Sequence, residues 1–252
     1  MHRTPTQKSR ARLHWHAALG IIALLGAAGL VTPAQAADVP RALLVIRQGG
    51  PSQPTDDKIR DHLQGLGLAV TEIDQATPTK QACSYDLVVL SSSVRSRDLG
   101  GAYRDVTVPL LTWENDLLDD LRFTGRKKDA DFGLVEKEHY LWMVNAPHPL
   151  SAGQPAGNLV AYQKDAPMGW GRPGLGASII ATIPGEPDKA TVFGYERGAT
   201  MDYDFLAPAR RIFVFLDNDT FGNLTPAGLS LFDAAVRWGL ADPGRRDAAC
   251  KS

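Results

Sequence analysis

The sequence predicts an α/β fold with a mainly parallel sheet, helices on both faces and inserted antiparallel β segments. Three observations carry that prediction. Arg41–Ile46, Asp86–Leu90 and Arg211–Leu216 are short, continuous apolar runs, the pattern of strands buried on both faces. The early runs are separated by crossovers of about a dozen residues or more, the length parallel pairing requires. Between residues 133 and 195 the rhythm changes to extended segments divided by Gly and Pro loops, which reads as a run of β segments, some antiparallel.

In chain order, Arg41–Ile46 is the first strand and Gln48–Pro54 a loop. Thr55 is placed to cap a helix running to about Gln64, with Asp56 and Asp57 in its first turn. Gly65 and Gly67 stop it. Leu68–Ile73, Asp86–Leu90 and Val108–Thr112 are the second, third and fourth strands. Gly133–Val144, Asn158–Tyr162, Ala177–Ile183 and Thr191–Tyr195 are the extended segments of the insertion. Arg211–Leu216 returns to a buried strand. Thr225 caps the last helix with Pro226 at its first position. Leu229, Phe232, Val236 and Leu240 follow at helical spacing, a stripe that should face the sheet.

The first 36 of the 252 residues read as a secretory signal peptide. Arg3, Lys8, Arg10 and Arg12 form a basic start, Ala17–Val31 an apolar run, and Ala34-Gln-Ala36 a small-x-small cleavage pattern. The run is shorter than the roughly 20 residues a spanning helix needs, so no membrane span is expected after cleavage. A domain over 37–240 and a polar tail over 241–252 follow, exported to the periplasm or the exterior. The remaining 216 residues hold 23 basic against 28 acidic side chains, a formal charge of −5 with His neutral. Nucleic acid is a poor partner for that balance, since phosphate contacts need clustered Lys and Arg. Arg126-Lys-Lys128 is flanked by Asp129 and Asp131 and reads as a solvated loop. Cys83 and Cys250 are an even pair in an oxidising compartment, open to a disulfide or to two separate thiols.

Two segments carry the functional reading. Val108-Pro-Leu-Leu-Thr-Trp-Glu-Asn-Asp116 and Arg211–Gly228 are both apolar runs that stop at carboxylates. The first resembles the strand that delivers the catalytic cysteine in class I glutamine amidotransferases, the second that family's last strand, where a His-Pro-Glu triplet completes the triad. On that resemblance Glu114 stands at the cysteine position and Asp217–Asp219 at the triplet, which implies a flavodoxin-like, amidotransferase-type scaffold with a degenerate active site. His148-Pro-Leu-Ser-Ala-Gly153, Gly185–Asp188, Thr191–Gly198 and the closing segment through Trp238 also resemble the trehalose-utilisation family, an offshoot of that superfamily. The flanking positions of a nucleophile elbow would be Thr112 and Asp116, neither of them Gly, so the strained turn is not expected. A carboxylate is a poor replacement for a thiolate, so glutaminase chemistry is not expected.

Bland and functional readings stand side by side. Asn115 or Asp116 caps a helix over Leu117–Leu121, or Glu114 points into the crevice beyond the strand ends, ionised by a nearby helix N-terminus and suited to act as acceptor or base. Asp217, Asn218, Asp219 and Thr220 form an ordinary turn, or they join Glu114 in an acidic crevice. His62 reads as a surface residue, His139 as core or rim, and His148 as the best pocket histidine. Trp113, Trp142 and Trp170 stack on sugar faces or pack in the core, with Trp170 favoured for function because Met168–Gly174 reads as a Gly-rich loop. Glu196 and Arg197 read as an ion pair. The leading reading is a binder of a small polar, carbohydrate-like ligand at Trp113, Asn115, Asp116, Trp170, Asp217, Asn218 and Asp219, with no cofactor and no assigned metal ligand; Ca²⁺ or Mg²⁺ on the converging carboxylates is a minority alternative. An enzyme using Glu114 as base with His148 or Asp219 assisting is one alternative; a structural or protein-interaction module is another. Oligomeric state is left open.

Overall fold

The structure is a computed structural model that describes residues 38–242. The expected signal peptide over 1–36 and all but the first two residues of the expected tail over 241–252, with Cys250, lie outside the described residues. Among the described residues eleven strands form one sheet. The first half is built from β1 (Arg41–Ile46), β2 (Ala69–Asp74), β3 (Leu87–Leu90), β4 (Leu110–Thr112) and β11 (Arg211–Val214) in the order β2-β1-β3-β4-β11, all parallel. Beyond β11 the sheet turns antiparallel through β10 (Glu186–Tyr195), β9 (Ala177–Ile183), β6 (Tyr140–Met143) and β7 (Gly157–Val160). A further pair, β5 (Phe132–Glu138) and β8 (Ala166–Gly171), branches from β10 at Ala190.

The period of two along β1 divides its side chains between two cores. Ala42, Leu44 and Ile46 join one cluster; Leu43 and Val45 join the other. The first cluster lies under α1 (Gln53–Gly65) and α3 (Pro226–Leu240), which contribute Ile59, Leu63, Leu231, Phe232, Ala235 and Val236. The opposite cluster is covered by short pieces: a 3₁₀ turn over Thr79–Ser84, the one-turn α2 (Ser96–Leu99), and the turns holding Tyr103, Leu117, Leu118, Leu121 and Phe123. Helices thus reach both faces, but only one face carries long ones.

Most expected elements are present with ends moved by one or two residues. The first helix begins earlier than expected: Ser52 is the N-cap and Pro54 sits in the first turn, where its fixed φ and missing N–H are tolerated. Thr55 is therefore inside α1 and buried, as is Asp56. Thr225 caps α3 as expected, its Oγ1 accepting from Gly228 N at 3.0 Å. The expected helix over Leu117–Leu121 is a 3₁₀ turn over Asn115–Leu117 followed by non-helical turns. The extended stretch from Gly133 breaks between β5 and β6, where the Glu138 carboxylate accepts from both His139 N (2.7 Å) and Tyr140 N (2.8 Å).

The largest revision concerns Met168–Gly174. Its first residues belong to strand β8, not to a loop. A Cβ on Gly169 would lie 3.1 Å from Phe213 and one on Gly171 2.9 Å from Leu118. These glycines mark close packing within a strand, although the same composition also suits a turn. Arg211, fully buried at the start of β11, makes no salt bridge among the described residues, although Asp105 and Asp242 are near enough to act on its charge. Its guanidinium donates instead to the carbonyls of Val108, Ala209, Arg210, Arg104 and Val106, and burial pulls its pKa down to about 9.

Candidate functional site

β3, β4 and β11 are neighbours and run the same way, so the segments leaving their carboxyl ends meet at one rim. A cleft of about 340 Å³ opens there. Ser92, Val94, Arg95, Ser96 and Arg97 form one flank after β3. Glu114, Asn115 and Asp116 form the middle after β4. Asp217 and Asn218 form the other flank after β11, and Leu134 of β5 completes the wall. The two acidic segments singled out in the sequence do meet.

Glu114 is the centre of the cleft and is only 8% exposed. Thr112 Oγ1 donates to Leu90 O at 3.1 Å and accepts Glu114 N at 3.1 Å, tying the ends of β3 and β4 together. Glu114 has φ −80° and ψ 100°, ordinary extended backbone without the strain of a nucleophile elbow. It is also the cap: its Oε1 accepts from Asp116 N at 3.0 Å, a role expected of Asn115 or Asp116. Oε2 makes no hydrogen bond to the described residues.

Burial pushes the Glu114 carboxyl up to about 8, and the charges of Asp116 and Asp217 act in the same direction. The Asp116 amide and Lys128 oppose this without overcoming it. Glu114 is therefore mostly protonated at neutral pH, a hydrogen-bond donor or acid. The expected ionised base is corrected for a physical reason: a single 3₁₀ turn aligns few peptide dipoles, while desolvation penalises the charge directly. Asp217 is also raised, first by burial and then by the charges of Asp219, Glu136 and Asp116. Asp116, at the outer edge, is paired with Lys128 Nζ at 3.0 Å.

Several expected site residues lie elsewhere. Trp113 is 1% exposed and packs edge-on against Phe232 under α3. Trp170 is 4% exposed in β8, with Lys189 Nζ 5.1 Å above its ring. Asp219 is outside the cleft lining, its Oδ1 accepting from Thr55 Oγ1 at 3.2 Å. His148 lines a separate cleft of about 730 Å³ with Glu196, Arg210 and Trp238. Arg210 precedes β11, at the amino ends of the parallel strands, so His148 does not assist Glu114. His148 Nδ1 accepts from Leu150 N at 3.1 Å, and burial lowers its pKa. His62 is not a simple surface residue: its Nε2 lies 2.6 Å from Asp233 Oδ1 of α3. His139 pairs with Asp165. Glu196 pairs with Arg210, and Arg197 with Asp242, in place of the expected Glu196–Arg197 pair. Of the tryptophans proposed to stack, only Trp142 is open, 47% exposed on β6 in another depression.

The sequence reading missed the flank after β3. Ser91-Ser-Ser-Val-Arg-Ser-Arg97 follows an apolar run just as the two acidic segments do, so the strand-end rule that located Glu114 would also have located it. It placed Asp56 in the first turn of a helix but not its burial: Asp56 is 1% exposed and accepts from Ser91 Oγ at 2.5 Å. Burial raises Asp56, and Glu72 and Asp57 add to the effect. Among the described residues no group of three or more His, Cys, Asp or Glu is arranged to hold a metal ion, and no helix is long and apolar enough to cross a membrane.

No protein-family model matches the chain, and no curated protein matches it in sequence. Among solved structures it is similar to a "putative GMP synthase" component from Thermoplasma acidophilum. The TM-score is 0.53 at 11% identity, over 80% of this chain and 95% of that one. At that identity the likeness concerns the fold: the chain has the α/β architecture of the flavodoxin-like, class I glutamine amidotransferase type.

Proposed function

We propose that this chain is an exported, amidotransferase-fold domain that has lost glutaminase chemistry and binds a small polar, carbohydrate-like ligand in the cleft around Glu114. The observation that carries the reading is Glu114 itself. It occupies the strand end where the resemblance places a cysteine, its backbone is unstrained, and Oε2 is left for whatever enters the cleft. A protonated carboxyl donates to a sugar hydroxyl, while Asp217 and Asn218 offer acceptors on the neighbouring flank. Kinship with the trehalose-utilisation family belongs to the same proposal, as do the signal peptide over 1–36 and a Cys83–Cys250 bridge.

The test is a calorimetric titration of wild type and Glu114→Ala, the fold of the variant checked by its melting temperature, with neutral mono- and disaccharides, alongside a glutaminase assay. Binding is expected in wild type and weakened about tenfold in the variant, the scale of one hydrogen bond to a buried acid. No ammonia should be released from glutamine. Ammonia release, or binding indifferent to Glu114, refutes the reading.

The raised pKa of Glu114 favours a second reading in which the carboxyl is a general acid toward a bound glycoside or ester. Glu114→Gln separates the two: the amide still donates a hydrogen bond but supplies no proton, so an enzyme loses turnover with KM little changed, whereas a binder keeps its affinity.

A further inference from the structure

We propose that the ligand of this cleft is a sugar acid, a polyhydroxylated molecule carrying one carboxylate, bound with the carboxylate toward Arg95 and Arg97 and its hydroxyls toward Ser92, Glu114 and Asp217. This rests on the reading above and narrows its ligand class.

The order of the strands sets the polarity of the site. β4 lies between β3 and β11, so Glu114 sits in the middle, with the arginine segment on one side and the Asp217 segment on the other. Arg95 and Arg97 are solvent-exposed at the rim, and each makes only a long ion pair. Asp98 is the carboxylate both of them approach, at 3.8 Å and 3.6 Å, and it also accepts from Gln75 Nε2 at 3.2 Å. Neither contact is a bidentate fork, the geometry in which guanidinium groups hold carboxylates best. Two guanidiniums sharing one distant carboxylate leave room for another anion.

Two buried polar groups point to a hydroxylated body between the flanks. Ser92 is 5% exposed, lines the cleft, and its Oγ has no hydrogen-bond partner among the described residues. Native buried hydroxyls are rarely left so. Glu114 is nearly as buried and has Oε2 unengaged. One anion at the arginine flank and several hydroxyls along the Ser92–Glu114–Asp217 line complement the groups that face this cleft. The acidic side chains do not forbid the anion: Asp116 is already paired with Lys128, and Asp217 lies on the flank away from the arginines.

The experiment is calorimetric titration of the full mature chain with glucuronate, gluconate, glucose and acetate at constant ionic strength, in wild type, the Arg95→Gln/Arg97→Gln double variant and Ser92→Ala. The arginines are exposed at the rim, and melting temperature and circular dichroism confirm that each variant is folded. A sugar acid is expected to bind about tenfold or more tighter than glucose, the scale of a charge-assisted hydrogen bond. That preference should collapse in the double variant, and Ser92→Ala should weaken glucuronate and glucose together. Equal affinity for glucuronate and glucose, both sensitive to Glu114→Ala, overturns this inference and leaves the proposed function standing. A preference that survives in the double variant, or acetate binding as tightly as glucuronate, also overturns it. Binding of none of the four compounds overturns both.

Discussion

Glu114 decides the chemistry of the cleft, because its protonation sets whether a donor or an anion faces the ligand. Its folded pKa, about 8, lies above the unfolded carboxyl value, so between the two the folded state binds more protons. The stability this group contributes is fully present below about pH 4.3 and is lost as pH rises through 8. Asp56 and Asp217 are raised as well and act in the same direction. Comparing wild type with Glu114→Gln isolates the one carboxyl. Urea unfolding at pH 5, 6.5 and 8 should show wild type losing stability relative to the variant, by at most about 1.4 kcal/mol per pH unit. A pH-independent difference would mean that Glu114 is ionised in the folded protein.

At the scale of elements, the sites are placed by close approaches as much as by hydrogen bonds. A Cβ on Gly228, in the first turn of α3, would fall 2.3 Å from Ala161 O. That carbonyl already accepts Thr225 N at 2.9 Å, and Thr225 Oγ1 donates to Val160 O at 2.7 Å. The start of α3 is thereby seated on the segment that leaves β7. Gly228→Ala should therefore destabilise the fold by about 2 kcal/mol despite the better helix propensity of Ala. Gly65→Ala, at a position with open space around it, should be neutral or gain up to about 1 kcal/mol. Denaturant midpoints of the two variants check the contrast; equal midpoints would remove close packing as the reason for Gly228.

For the whole molecule, the parallel half of the sheet brings three strand ends to one rim, and the antiparallel half extends it without adding to that rim more than Leu134. The proposed export and bridge act at this scale too. Protein recovered from the export compartment should begin at Ala37 and gain two hydrogens in mass on reduction, read by intact-mass spectrometry. A chain beginning at Met1, or a mass unchanged by reductant, rejects the corresponding proposal. A disulfide closing a loop as long as 83–250 restricts the unfolded chain by about 5 kcal/mol in the chain-entropy account.

Properties that depend on neighbours along the chain could be read from it directly. The continuous apolar runs of β1, β3 and β11, the Thr225 cap with Pro226, and the two carboxylate clusters at strand ends were legible because periodicity, capping and strand termination are local. Burial and proximity across the fold arise only when distant segments pack together. Packing placed Trp113 and Trp170 in the core, although their local sequence does not distinguish a stacking platform from a core residue. The parallel order put His148 at the opposite end of the strands from Glu114. It also brought Arg95 and Arg97 beside an acidic pair about twenty and 120 residues away along the chain. Whether Glu114 carries a charge was the least legible property, since the largest influence on it is burial, which segments distant in the chain complete.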